Sequence, residues 1–87
     1  MRHHVSWETE AVEKLMLLSR TDPRTGRRIV QAVRRYANGD SGDVIKLHGN
    51  AEEWRLRVGD LRVIFTILPS AGGINVLDVL NRRDAYD

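Results

Sequence analysis

Three arginines recur within Trp54-Arg-Leu-Arg-Val-Gly-Asp-Leu-Arg-Val-Ile-Phe65, and two more precede a tyrosine in the closing stretch Asn81-Arg-Arg-Asp-Ala-Tyr-Asp87. Grouped guanidiniums bind phosphate through paired hydrogen bonds and stabilise the negative charge that builds up during its transfer. Arg55, Arg57, Arg62 and Arg82 therefore suit a phosphodiester ligand. Arginine stays protonated and makes a poor general base. Proton transfer falls to Tyr86 with a lowered pKa, which could instead stack on a nucleobase, and less directly to His48, several residues before the arginine run.

These side chains share a site only if the chain folds into a hairpin. With Gly59-Asp60 as a two-residue turn, Val58 lies opposite Leu61, Arg57 opposite Arg62, Leu56 opposite Val63, Arg55 opposite Ile64 and Trp54 opposite Phe65. Alternation then puts Trp54, Leu56, Val58, Leu61, Val63 and Phe65 on one face and the arginines on the other. Like charges directly opposite each other weaken a sheet by a fraction of a kcal/mol, about 0.2–1. Either an anionic partner justifies Arg57 facing Arg62, or a nearby carboxylate neutralises the pair, or the register slips. Returning through the turn at 69–73 sets Thr66 beside Val76, Ile64 beside Asp78 and Arg62 beside Leu80. Asp78 becomes an internal counter-ion on the arginine face, which reaches Arg82 by parity and then Tyr86.

The preceding residues must cover the apolar face. His3 to Trp7 suits a short strand with Val5 inward. Thr9 or Glu8 can cap a helix to about Ser19, with Ala11, Leu15 and Leu18 at helical spacing and Val12 and Met16 beside them. Asp22-Pro23 starts a second helix with Ile29, Val33 and Tyr36 on its apolar stripe, and Asn38-Gly39 stops it. Its Arg27, Arg28, Arg34 and Arg35 are either a solvated face or a contact for RNA backbone. Gly39 to Asp43 is a loop, Val44 to Leu47 is extended, and Ile74 to Leu80 is the last strand. The expected fold class is α+β: a short N-terminal strand, two helices, then a three-stranded antiparallel meander with the helices on one sheet face and the arginine face open to solvent.

Composition bounds the function. The 87 residues make a single domain, 1–87, whose charge is +2, with 41% hydrophobic and 30% charged residues. Twelve of the 14 basic residues are arginine, which favours nucleic acid or an acidic protein over a neutral small molecule. The absence of cysteine excludes disulfides, thiolate metal sites and thiol nucleophiles. His3, His4 and His48 do not form a metal-ligand set, and no serine, histidine and acid read as a triad, so no metal or cofactor is expected. Trp7 and Trp54 are read as core residues. No apolar run has the length of a signal peptide or membrane span, which points to the cytoplasm and away from membranes.

The segments Val5-Ser-Trp-Glu-Thr-Glu-Ala-Val-Glu-Lys-Leu15, Lys46-Leu-His-Gly49, Trp54–Phe65 and Val79-Leu-Asn-Arg-Arg-Asp-Ala-Tyr86 closely resemble the RelE/ParE superfamily of bacterial type II toxin–antitoxin toxins. The hairpin Arg-x-Arg-Val-Gly-Asp-x-Arg-Val-Ile is the specific part. The resemblance implies a RelE-like fold and a ribosome-associated mRNA endonuclease, an mRNA interferase, that inhibits translation. Attack of a 2′-hydroxyl on the adjacent phosphate would give a 2′,3′-cyclic phosphate without a metal. It assigns Arg62, Arg82 and Tyr86 to catalysis. Arg55, Arg57, Lys46 and Arg83 are assigned to RNA and phosphate binding. It also implies a cognate antitoxin. Leu61 stands where many relatives have tyrosine, Asn81 where many have histidine, and arginines 55 and 57 where some have lysine. Phosphate holding survives these changes better than proton transfer. The rival readings are a ParE-like inhibitor of DNA gyrase with the same fold and a non-catalytic basic module binding RNA or an operator.

Overall fold

The computed structural model describes residues 4–47, 49, 52–69 and 72–81. The element order is β1 (Val5–Trp7), α1 (Thr9–Thr21), α2 (Pro23–Ala37), β2 (Val44–Lys46), β3 (Trp54–Val58), β4 (Leu61–Leu68) and β5 (Gly73–Asn81). The expected meander β3-β4-β5 forms the middle of a five-stranded sheet of order β1-β5-β4-β3-β2. β1 joins one edge parallel to β5, and β2 joins the other antiparallel to β3.

Local chemistry explains the helix boundaries. The Asp22 carboxylate accepts from the Thr25 backbone N–H at 3.2 Å and from Thr25 Oγ1 at 2.6 Å, and Pro23 opens the first turn. The two helices approach closely at Gly26, where a Cβ would run into Ser19 Oγ. At the sheet edge, a Cβ on Gly73 would strike the His4 carbonyl, which accepts from Ile74 N–H at 2.9 Å.

The hairpin register matches the sequence expectation at all five pairs, including Arg57 opposite Arg62. Gly59 has a φ of +59° and Asp60 a negative one, so the turn is not of type I′. Leu56, Val58, Val63 and Phe65 face the helices and pack with Ala11, Ile29, Val33 and Ala37. Trp7 and Trp54 pack at the margin of this core, and the Tyr36 ring lies tilted against Phe65 with centroids 5.4 Å apart.

The β4–β5 register differs from expectation in one place. Arg62 pairs with Leu80 and Ile64 with Asp78, but Phe65 then pairs with Val76 and Thr66 with Asn75. Leu77 is the extra residue of a bulge. Both Val76 and Val79 belong to the core, yet they are three residues apart. Strict alternation cannot aim both at one face, and an inserted residue can.

Candidate phosphate site

Alternation along β3 and β4 puts Arg55, Arg57 and Arg62 on the face away from the helices, with Arg57 and Arg62 paired across the hairpin. The three are not equally available. Arg57 is exposed, whereas Arg55 and Arg62 are each only 7% exposed. The expectation of an arginine face wholly open to solvent is therefore corrected. Alternation assigns a side chain to a face but does not determine how deeply it is buried there. Ile64, beside Arg62 on the same face, is also buried.

Burying a guanidinium is tolerable only with compensating polar contacts. For Arg55, Nη2 donates to Asp43 Oδ1 at 3.4 Å. The Asp43 carbonyl accepts from the Arg57 backbone N–H at 2.9 Å, so the loop before β2 is laced along β3. Sequence reasoning treated 39–43 only as a turn and missed this carboxylate, because nothing in its spacing ties it to the hairpin. The exposed Arg57 turns back on its own turn, with Nε donating to the Gly59 carbonyl at 3.3 Å.

Asp78 was expected to be the counter-ion of the arginine face. Its carboxylate instead pairs with Lys14 of α1 at 2.8 Å, and its Oδ1 also accepts from the Val79 N–H at 2.9 Å. β1 pairs with β5 only along Ile74–Val76. Beyond Val76 the β5 edge is open to α1, and the Leu77 bulge lies at that step. Lys46 is also placed apart from the arginines. It pairs with Trp54, a residue of the helix-facing side, and its Nζ sits 5.7 Å from the centre of the Trp54 ring. Arg82, Arg83, Tyr86 and His48 lie outside the described residues. Asn81 pairs with Leu61, so β5 ends at the hairpin-turn end of the sheet.

Two crevices flank this end of the molecule. One, of ≈ 430 Å³, has Arg35 and Arg57 in its wall with Asp40, Asp43 and Leu56. The other, of ≈ 370 Å³, brings Arg28 together with Gly59, Asp60 and Asn81. Among the described residues, no group of three or more His, Cys, Asp or Glu side chains is placed to hold a metal ion. No helix is long and apolar enough to cross a membrane. The arrangement can hold an anion at Arg57 and Arg62, with Arg55 set behind them by Asp43.

No protein-family model matches the chain, and no curated protein matches it in sequence. Solved structures do match over almost its whole length. A chain of the archaeal RelE–RelB complex from Pyrococcus horikoshii is 27% identical, with 98% of this chain and 100% of that one covered at a TM-score of 0.72. The fold is that of the RelE-type toxins. The RelBE2 toxin–antitoxin complex of Mycobacterium tuberculosis aligns at 21% identity and a TM-score of 0.74, covering 97% of this chain and 95% of that one. A YoeB dimer from Staphylococcus aureus aligns at 14% identity and 0.73, covering 90% and 94%.

Proposed function

We propose that this RelE-like chain is the toxin of a type II toxin–antitoxin pair and acts as a ribosome-associated mRNA endonuclease. The observation that carries the reading is the cross-strand pair Arg57–Arg62 on the face opposite the helices, in a fold shared end to end with a RelE. Two guanidiniums paired across a hairpin suit a phosphate, which can take paired hydrogen bonds from them.

In the reaction, the 2′-oxygen bonds to the adjacent phosphorus and the P–O5′ bond breaks, leaving a 2′,3′-cyclic phosphate and a free 5′-hydroxyl. The proton leaves the 2′-hydroxyl for a base, and the departing 5′-oxygen receives one. Arg62 and Arg82 hold the non-bridging oxygens as charge accumulates on them. Tyr86 is the proposed base or stacking group, since arginine cannot take the proton. Arg55 and Arg57 position the RNA, with Lys46 and Arg83 as outlying contacts. The antitoxin is the expected protein partner, as RelB is for the Pyrococcus RelE.

Induction of the chain in bacteria tests this reading. Rapid loss of translation with mRNA cut within reading frames, at ends carrying a cyclic phosphate, is the expected result. A DNA-damage response with intact mRNA would replace it with gyrase inhibition, and no growth effect would leave a non-catalytic binding module.

A further inference from the structure

We infer that the outward face of α2 is a docking surface for the phosphate backbone of double-helical RNA. α2 contains Arg24, Arg27, Arg28, Arg34 and Arg35 and no acidic residue. At 3.6 residues per turn these five fall within an arc of about 120° and extend about 16 Å along the axis. Ile29, Val33 and Ala37 occupy the opposite side and are buried. All five arginines are exposed. Arg35 lies 3.7 Å from Asp40, the Arg28 guanidinium lies over Gly59 of the hairpin turn, and Arg24 and Arg28 both act favourably on the Asp22 carboxylate, which leaves Arg27 and Arg34 as the members of the row that share no carboxylate among the described residues.

The pattern only partly suits the helix that carries it. Arg24 stands in the first turn, at the positive end of the helix dipole, three and four residues before Arg27 and Arg28, and the Asp22 N-cap offsets this at that end alone. A row of this kind is explained by an anionic partner. Charge alone would admit an acidic protein, but the apolar inventory argues against one. Among the described residues, the exposed large hydrophobic ones are Val12, Met16, Leu17, Ile45 and Ile67, on α1, β2 and β4, and none is on α2. Protein interfaces need an apolar or aromatic centre, whereas a nucleic-acid backbone is held by charge and hydrogen bonds. Single strands are bound with aromatic stacking platforms. The one aromatic residue of α2, Tyr36, is turned onto Phe65. Exposed arginines spaced along a helix with no ring among them fit the regular phosphates of a duplex. The choice of RNA over DNA rests on the nuclease reading above.

The test measures affinity of the full chain for a blunt RNA duplex of about 16 base pairs across a salt series. Arg27 and Arg34, which share no carboxylate among the described residues, should contribute about −1.8 to the slope of log K against log salt. The double variant Arg27→Gln/Arg34→Gln should bind more weakly, with a slope shallower by about 1.8. Arg27→Lys/Arg34→Lys should restore the slope. An unchanged slope in the glutamine variant overturns the proposal, as does a lysine variant that behaves like the glutamine one. Binding of an acidic polypeptide, but not of the duplex, also overturns it in favour of a protein partner. Arg62→Met reports on the nuclease reading separately: it should abolish mRNA cleavage and leave duplex binding through α2 unchanged.

Discussion

Arg62 is buried and faces Arg57, so its charge and its stem should have separable effects on stability. Truncation to alanine removes two buried methylenes, worth about 1.6 kcal/mol at roughly 0.8 each, and the cavity left behind raises the loss to about 2 kcal/mol or more. For a domain of this size that corresponds to a fall in Tm of about 8–16 °C. Arg62→Met keeps the stem volume and relieves the repulsion with Arg57 while losing the contacts of the guanidinium, so its fall in Tm should be smaller than that of Arg62→Ala. Both variants should lose mRNA cleavage, since neither can hold phosphate. Thermal unfolding followed by circular dichroism, alongside a cleavage assay on translating ribosomes, separates the two effects. If Arg62→Met is destabilised as much as Arg62→Ala, the guanidinium itself holds the sheet together and the assignment of stability to the stem is wrong. If Arg62→Met still cleaves mRNA, Arg62 does not bind the scissile phosphate.

Gly73→Val should detach β1, because the new Cβ would collide with the His4 carbonyl that anchors the parallel pairing. Hydrogen exchange should show lost protection in β1, and unchanged protection there would contradict the packing. Asp22 is held below the ordinary carboxylate range by hydrogen bonds from the Thr25 side chain and backbone, with Arg24 and Arg28 assisting. Its contribution to stability is complete above that range and is lost as pH falls through its lowered folded-state pKa. Wild type should therefore lose more stability than Asp22→Ala on acidification below about pH 4, and parallel Tm-versus-pH curves would refute the cap. Deleting Leu77 should leave Val76 and Val79 on the core face in regular alternation while turning Asp78 squarely toward the arginines. Folding should survive, the ion pair with Lys14 should be lost, and RNA binding should weaken. A deletion that unfolds the chain would show that Leu77 itself is needed.

Much of the fold was legible because it depends on alternation and turn chemistry, both written locally. Gly59-Asp60 fixed the hairpin register, and Asp22-Pro23 marked the start of α2. What local patterns could not supply was pairing at a distance. β1 and β2 are three residues each, and their places at opposite edges depend on contacts with β5 and β3 far away in sequence. The bulge was hidden for a related reason. Ile74-Asn-Val-Leu-Asp-Val-Leu80 contains apolar residues of both parities, so the choice between Val76 with Val79 and any other inward set is made by the core those residues meet. α1 was ambiguous in the same way: Ala11 is buried, but Val12 and Met16, expected beside the stripe, are 37% and 56% exposed.

The residue types of the site were legible, but their burial was not, and burial changes what each arginine can do. Arg55 is held from behind by Asp43, and Arg62 lies beneath the surface next to Ile64. Each would have to leave a buried position to reach an approaching strand. Arg57 is already exposed, and among the described residues its head group is restrained by a long hydrogen bond to the Gly59 carbonyl. On the proposed reading, an anion arriving at this face would meet Arg57 first and reach Arg62 by seating against it. An exposed contact opposite a buried one would give capture followed by alignment, and alignment is what in-line attack by a neighbouring hydroxyl requires. Three arginines of equal exposure would attract RNA as well, but they would leave the phosphate free to slide among them.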